Sequence, residues 1–200
     1  LKELSLHILD IAENSVAAAA SKVTIEVRED LVSDRLRIRI SDNGKGIAPE
    51  KINQILDPFT TSRTTRKVGL GIPLLKAAAE ICDGFLTIES IIGKGTNLIV
   101  EFRHSHIDRM PMGDLTSTIL QLVISYPNIN WIFIYSMNEK EFIFNDQLLK
   151  KELEGISLSE PPVLSFIRQE IESGYLSIQT PAENQKNTLK EEQKCQPSIV

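Results

Sequence analysis

Cysteine is almost missing: the 200 residues hold two, Cys82 and Cys195, far apart and with no Cys-x-x-Cys pair. That excludes a disulfide framework and a thiolate metal cage, and it fits a reducing, cytoplasmic compartment. Long apolar runs are missing too. No stretch reaches the roughly eighteen residues that a membrane-spanning helix needs, and no secretory leader is expected from the residues after Leu1. Positive charge is in deficit, with 22 Lys and Arg against 27 Asp and Glu and a net charge of -5. A general nucleic-acid binder carries a basic excess, so no nucleic-acid partner is expected. The three histidines, His7, His104 and His106, stand at no metal-ligand spacing. Several signatures are absent as well: there is no Gly-x4-Gly-Lys-Ser/Thr, no His-Glu-x-x-His and no Gly-x-Ser-x-Gly. Gly44-Lys45-Gly46 lacks the third glycine of a dinucleotide fingerprint. The rest is ordinary: 42% hydrophobic and 24% charged residues allow a packed core.

The patterning predicts alternating helices and strands. Leu4, Ile8 and Ile11 recur at helical spacing, and the alanine run Ala17 to Ala20 carries the predicted helix to residue 20. Val23, Ile25 and Val27 alternate with polar residues, and Leu36, Ile38 and Ile40 alternate with Arg35, Arg37 and Arg39, as half-buried strands do. Pro49 opens a short helix over residues 50–56. A helix from Gly71 is predicted to bury Leu74, Leu75, Ala78, Ile81 and Cys82 and to end at Gly84. Residues 85–90 and 96–102 read as a hairpin around Gly93-Lys94-Gly95. After Phe102 the pattern changes. A helix from Met112 to Val123, strands at 131–135 and 141–144, and helices at 146–153 and 161–173 suggest a small α/β appendage over 105–175. From about residue 176 the chain is polar and reads as a disordered tail.

Four separated pieces carry chemistry. Asp10 and Asn14 are four apart, so they share one helix face, where an acid and an amide can hold magnesium and orient water. Asp42-Asn43-Gly44-Lys45-Gly46 follows a strand; its carboxylate can accept a hydrogen bond from an exocyclic amine, and its glycines permit close approach. Asp57-Pro58-Phe59-Thr60-Thr61-Ser62, with Arg63, Arg66 and Lys67, leads to Gly69-Leu70-Gly71-Ile72 at a helix start, where unpaired N–H groups suit phosphates. Gly93-Lys94-Gly95-Thr96 is the fourth. Taken singly, each also fits something plainer: a solvated helix face, a tight turn, a polar loop with a glycine cap, a hairpin turn.

In this order and spacing the pieces resemble the GHKL superfamily of gyrase, the large heat-shock chaperone, histidine kinases and the MutL mismatch-repair proteins. Leu6 to Ala18 looks like its N box, Asp42 to Ile47 its first glycine box, Asp57 to Ser62 its F box and Gly69 to Ile72 its second glycine box. Thr96 matches the threonine of a late Gly-Thr pair, and the match spans residues 1–104. Asp-Pro-Phe-Thr-Thr followed by Gly-Leu-Gly-Ile looks closest to the histidine kinases. The resemblance implies an α+β, Bergerat-type two-layer sandwich, a mixed sheet covered by helices on one face. It implies ATP and Mg2+ as ligands. Asn14 would hold the magnesium, Asp42 the adenine amine, and Thr96 a water shared with that amine. Gly44, Gly46 and Ile47 would shape the adenine wall. Phe59, Thr60, Thr61, Gly69, Leu70, Gly71 and Ile72 would form the lid over the phosphates. Asp10 stands where ATPase members carry a catalytic glutamate and is one methylene shorter.

The implied activity is transfer of the γ-phosphate to a protein phosphoacceptor in bacterial signal transduction. The alternatives are a nucleotide-gated interaction module and a slow ATPase. These 200 residues contain no upstream pair of dimerisation helices, so the acceptor is expected on a partner, and a homodimer is left open. His7, one turn before Asp10, is not expected to be that acceptor. His104 and His106 read as a solvated connector. The residues after 104 show no catalytic constellation, and Asp114 reads as a helix cap.

Overall fold

The computed structural model describes residues 3–56, 71–153 and 155–179. Helix α1 (Leu4–Ala17) forms on the face that Leu4, Ile8 and Ile11 share, and that face is buried together with His7, Ala12 and Ser15. Its first amides are satisfied from far along the chain: Leu4 N–H donates to the Pro111 carbonyl (3.0 Å) and Ser5 N–H to that of Met112 (2.8 Å). The alanine run does not carry the helix to residue 20. Ala19 turns left-handed at φ 57° and Ala20 N–H reaches back to the Ser15 carbonyl at 3.1 Å, a Schellman-type stop. The stop has a tertiary cause. Lys45 N–H donates to the Ala18 carbonyl at 2.9 Å, which would otherwise face the next helical turn.

Six strands follow, β1 (Lys22–Asp30), β2 (Arg35–Asp42), β3 (Phe85–Ile91), β4 (Gly95–Arg103), β5 (Asn130–Met137) and β6 (Lys140–Asn145). They form one sheet in the order β3-β4-β2-β1-β5-β6. Every neighbouring pair is antiparallel except β1 and β5, which makes the sheet mixed. Val23, Ile25, Val27, Leu36, Ile38, Ile40, Leu98, Val100 and Phe102 are buried on one face. Helices α1, α3 (Gly71–Ile81), α4 (Leu115–Ser125) and α6 (Pro161–Gln179) cover that face; α2 (Pro49–Leu56) lies against α3, and α5 (Asp146–Glu152) against β5. The other face carries the arginines of β2. Arg37 donates from Nε (2.9 Å) and Nη2 (2.6 Å) to one oxygen of Glu101. This is the two-layer α+β sandwich that the sequence predicts.

Residues 105–175, read from sequence as a separate small unit, extend the same sheet. β5 pairs with β1 along its length, and Trp131, Phe133 and Tyr135 join the same core as Val23 and Ile38. Helix α4 begins at Leu115 rather than Met112, because Asp114 caps it by accepting the Ser117 N–H at 2.8 Å. Helix α6 runs past residue 173 to Gln179 with Ile178 buried, so residues 176–179 are not tail. The rest of the expected tail, 180–200, lies outside the described residues. The stripe on α3 is also rotated from its predicted phase. Pro73, Leu75, Ala79 and Cys82 are buried, whereas Leu74 and Ile81 are exposed. Apolar residues surround α3 on most sides, so its phase is set by packing against α1, β3 and β4; Gly71 at its start lies near Asp10, where a Cβ would stand 3.3 Å from the carboxylate.

Candidate functional site

Strand register brings the site together. Asp42 at the end of β2 pairs directly with Thr96 at the start of β4, so two residues 54 apart in sequence become neighbours. Helix α1 crosses beside them, and a cavity of about 240 Å³ opens between helix and sheet. Asn14, Asp42, Gly46, Ile47, Ile72 and Thr96, all predicted site residues, line it. Its remaining walls include Ile11, Ile40, Ile55, Ile88 and Leu98. An apolar slot with a carboxylate at one end suits a flat, weakly polar ring that carries an amine.

Asp42 is held by two donors. Ser15 Oγ donates to Oδ2 at 2.9 Å and Gly44 N–H to Oδ1 at 2.8 Å. Ser15 is buried one residue after Asn14, so α1 offers an amide to the cavity mouth and a hydroxyl to the carboxylate behind it. The sequence reading missed Ser15, although a turn of 100° from Asn14 toward the Ile8–Ile11 stripe was available as a signal. It also missed Ser90, whose Oγ accepts the Ile47 N–H at 2.8 Å and lies 3.0 Å from Thr96 Oγ1.

The loop after β2 is built by packing. Asn43 Oδ1 accepts the N–H groups of Ser21 and Lys22, both at 2.9 Å, tying the loop to the α1–β1 connection. Gly44 does not line the cavity; a Cβ there would lie 2.7 Å from the Ala18 carbonyl oxygen. Gly46 needs its φ of 71°, and a Cβ would come within 2.2 Å of the Ile91 carbonyl oxygen. Both glycines are therefore required by neighbouring backbone, beyond any ligand.

Asp10 is exposed one turn before Asn14 and lies near Gly71, where a Cβ would stand 3.3 Å from its carboxylate, rather than on the cavity wall. Phe59, Thr60, Thr61, Gly69 and Leu70 lie outside the described residues. Among the described residues no cluster of three or more His, Cys, Asp or Glu could hold a metal by itself. The exposed carboxamide of Asn14 at the cavity mouth fits the way magnesium is commonly bound, by one or two protein oxygens together with ligand phosphates. No helix among the described residues is long and apolar enough to cross a membrane.

The histidines resolve differently from expectation in one case. His7 is buried on α1 at 4% exposure and cannot meet a bulky phosphoryl donor. His104 is not a solvated connector. Its Nε2 lies 2.6 Å from Glu29 Oε2, and Glu29 Oε1 accepts the Tyr135 hydroxyl at 2.9 Å. The pair closes the end of the sheet opposite the cavity, and burial raises the Tyr135 hydroxyl's pKa well above its ordinary value.

Comparison with known proteins agrees with this geometry. The family described as histidine kinase-, DNA gyrase B- and HSP90-like ATPase matches residues 1–106. A non-motile and phage-resistance protein of Caulobacter vibrioides is 32% identical over 115 residues, which cover 54% of this chain and 14% of that protein. The sensor histidine kinase ZraS of Salmonella typhimurium is 33% identical over 93 residues, 46% of this chain and 20% of that protein. The matched stretch is thus a small part of these relatives. Among solved structures, the N-terminal domain of a DNA repair protein superposes with a TM-score of 0.55 at 16% identity, covering 88% of this chain and 57% of that one, a likeness of fold. Carboxylate, facing threonine, helix-borne amide and glycine loop meet around one cavity within the very stretch that the family matches, and the chain belongs to the histidine kinase-, DNA gyrase B- and HSP90-like ATPases.

Proposed function

We propose that the cavity binds Mg-ATP, with the adenine amine on Asp42 and the metal on Asn14, and that the γ-phosphate passes to a side chain of a partner protein. The observation that carries the reading is that Asp42 and Asn14, from separate elements, line one cavity whose walls are otherwise mostly apolar. Family membership supports nucleotide binding. The sensor kinases among the relatives support transfer over simple hydrolysis, although the matched stretch is only a fraction of each. Asp10, exposed beside Gly71, is the candidate acid–base group, and positioning and charge neutralisation would supply most of the rate.

A second reading, a nucleotide-gated interaction module with little turnover, is favoured by one observation. The helix bearing Asn14 is capped by the carbonyls of Pro111 and Met112 and packs on α4, so occupancy of the cavity and the later half of the chain share an element.

Incubation with γ-labelled ATP, alone and with extract of the native host, separates the readings. Label on a protein supports transfer, and saturable binding without transfer or phosphate release supports the module. Asp42→Asn removes a charged acceptor worth about 1.5–3 kcal/mol, so ATP affinity is expected to fall about ten- to a hundredfold by calorimetry. An unchanged affinity would refute the assignment of Asp42.

A further inference from the structure

Ser90, Thr96 and Asp42 stand in one row across the sheet, since the registers pair Ser90 with Thr96 and Thr96 with Asp42. All three point toward the cavity, because each lies two residues along its strand from a lining residue, Ile88, Leu98 or Ile40. Ser90 Oγ has three partners: the Ile47 N–H at 2.8 Å, the Gly95 carbonyl at 2.9 Å and Thr96 Oγ1 at 3.0 Å. A hydroxyl has one proton and two lone pairs. The Ile47 amide can only donate, and the Gly95 carbonyl can only accept. The Ser90 proton therefore goes to Gly95, and the contact with Thr96 needs the threonine's own proton. Thr96 is left facing the cavity with lone pairs alone. Asp42 is an acceptor too, its two oxygens already aimed by Ser15 and Gly44.

We infer that Ser90 is a selectivity residue: by taking the Thr96 proton it leaves both paired strand residues at the base end of the cavity, Asp42 and Thr96, as acceptors, which suits a purine bearing an amine at position six and opposes one bearing a carbonyl there. The inference rests on the reading of the cavity as a purine-nucleotide site. A water beside Thr96 must donate to it, so its orientation is set as well. Removing the Ser90 hydroxyl frees the threonine proton to turn inward, where it can serve a carbonyl. The same removal leaves the Ile47 amide without its acceptor.

The test titrates the whole chain calorimetrically with Mg-ATP and Mg-ITP, whose bases differ at position six and in the proton that N1 carries beside the carbonyl. Wild type, Ser90→Ala and Ser90→Thr are compared. Wild type is expected to prefer ATP, Ser90→Ala to lose about tenfold of that preference, and Ser90→Thr, which keeps the hydroxyl, to stay within about twofold of wild type. Amide exchange at Ile47 in the free chain should quicken in Ser90→Ala and not in Ser90→Thr. If Ser90→Ala weakens both nucleotides equally and the ATP-to-ITP ratio holds, the residue is merely structural and the inference is overturned while the nucleotide site stands. If folded wild type binds neither nucleotide, the purine reading fails and takes the inference with it.

Discussion

At the scale of single residues, the cavity depends on how one carboxylate is aimed. Asp42 would rotate freely at a strand end without its two donors, and an acceptor that must be oriented on binding costs affinity. Ser15 supplies the donor from α1, buried and 2.9 Å away. Ser15→Ala is therefore expected to weaken ATP binding about two- to tenfold, the worth of one ordinary hydrogen bond of about 0.5–1.5 kcal/mol. That is less than the loss in Asp42→Asn, because the carboxylate itself remains. Calorimetry on the variant checks this, with thermal melting alongside to confirm that the helix is intact; equal affinity in a folded Ser15→Ala would mean that Gly44 alone suffices to aim Asp42. These details also mark what the sequence makes legible. Asn14, Asp42, Gly46, Ile47 and Thr96 could be read because each belongs to a short motif with its own chemistry. Ser15 shows only as one more position on the buried helical stripe, without its partner, and Ser90 not at all, because its partner lies across a register that no local pattern encodes.

At the scale of elements, periodicity identifies helices and strands well and misplaces their ends where a distant contact decides. The alanine run has high helix propensity, yet α1 stops because the glycine loop claims the Ala18 carbonyl. The stripe on α3 is misread because the helix is apolar on most sides, so only its packing against α1, β3 and β4 decides which residues are buried. Where the deciding chemistry is local, the reading succeeds, as at the start of α4. Hydrogen bonds from Ser117, through its side chain and its amide, hold the Asp114 carboxyl below its usual value of 3.8. A carboxyl whose folded pKa is depressed contributes stability that is complete above the unfolded value and is lost as pH falls through the folded one. Asp114→Ala should thus cost about 1 kcal/mol near neutral pH, a fall in melting temperature of about 2–4 °C for a chain of this size. Melting curves of wild type and variant should converge as the pH is taken below 3.8. A gap that persists undiminished into acid would mean that the cap acts without its charge.

At the scale of the whole molecule, the question is whether residues after 105 are an appendage or part of the structure. The family match ends at 106, and the change of pattern after Phe102 points the same way. The sheet points the other way. β1 is flanked by β2 on one side and β5 on the other, so removing β5 would expose a central strand edge and the flanks of Val23, Ile25 and Val27 beside Trp131, Phe133 and Tyr135. Sequence could not reveal this, since the alternation of β1 and the apolar run of β5 announce strands but not partners. Trp131 is the single tryptophan, 2% exposed on β5, with its indole N–H on the Tyr126 carbonyl at 3.2 Å. Cys82, 1% exposed at the end of α3, reports on the first half. In a Cys195→Ser background, Trp131 fluorescence and pulse labelling of the Cys82 thiol are expected to follow one urea transition with one midpoint. Phe133→Ala, which opens the shared core, should lower both midpoints together by about 3–5 kcal/mol of stability. If Trp131 is exposed at a urea concentration that leaves Cys82 protected, β5 and β6 form a separate cooperative unit, and the shared sheet does not make the chain one folding body.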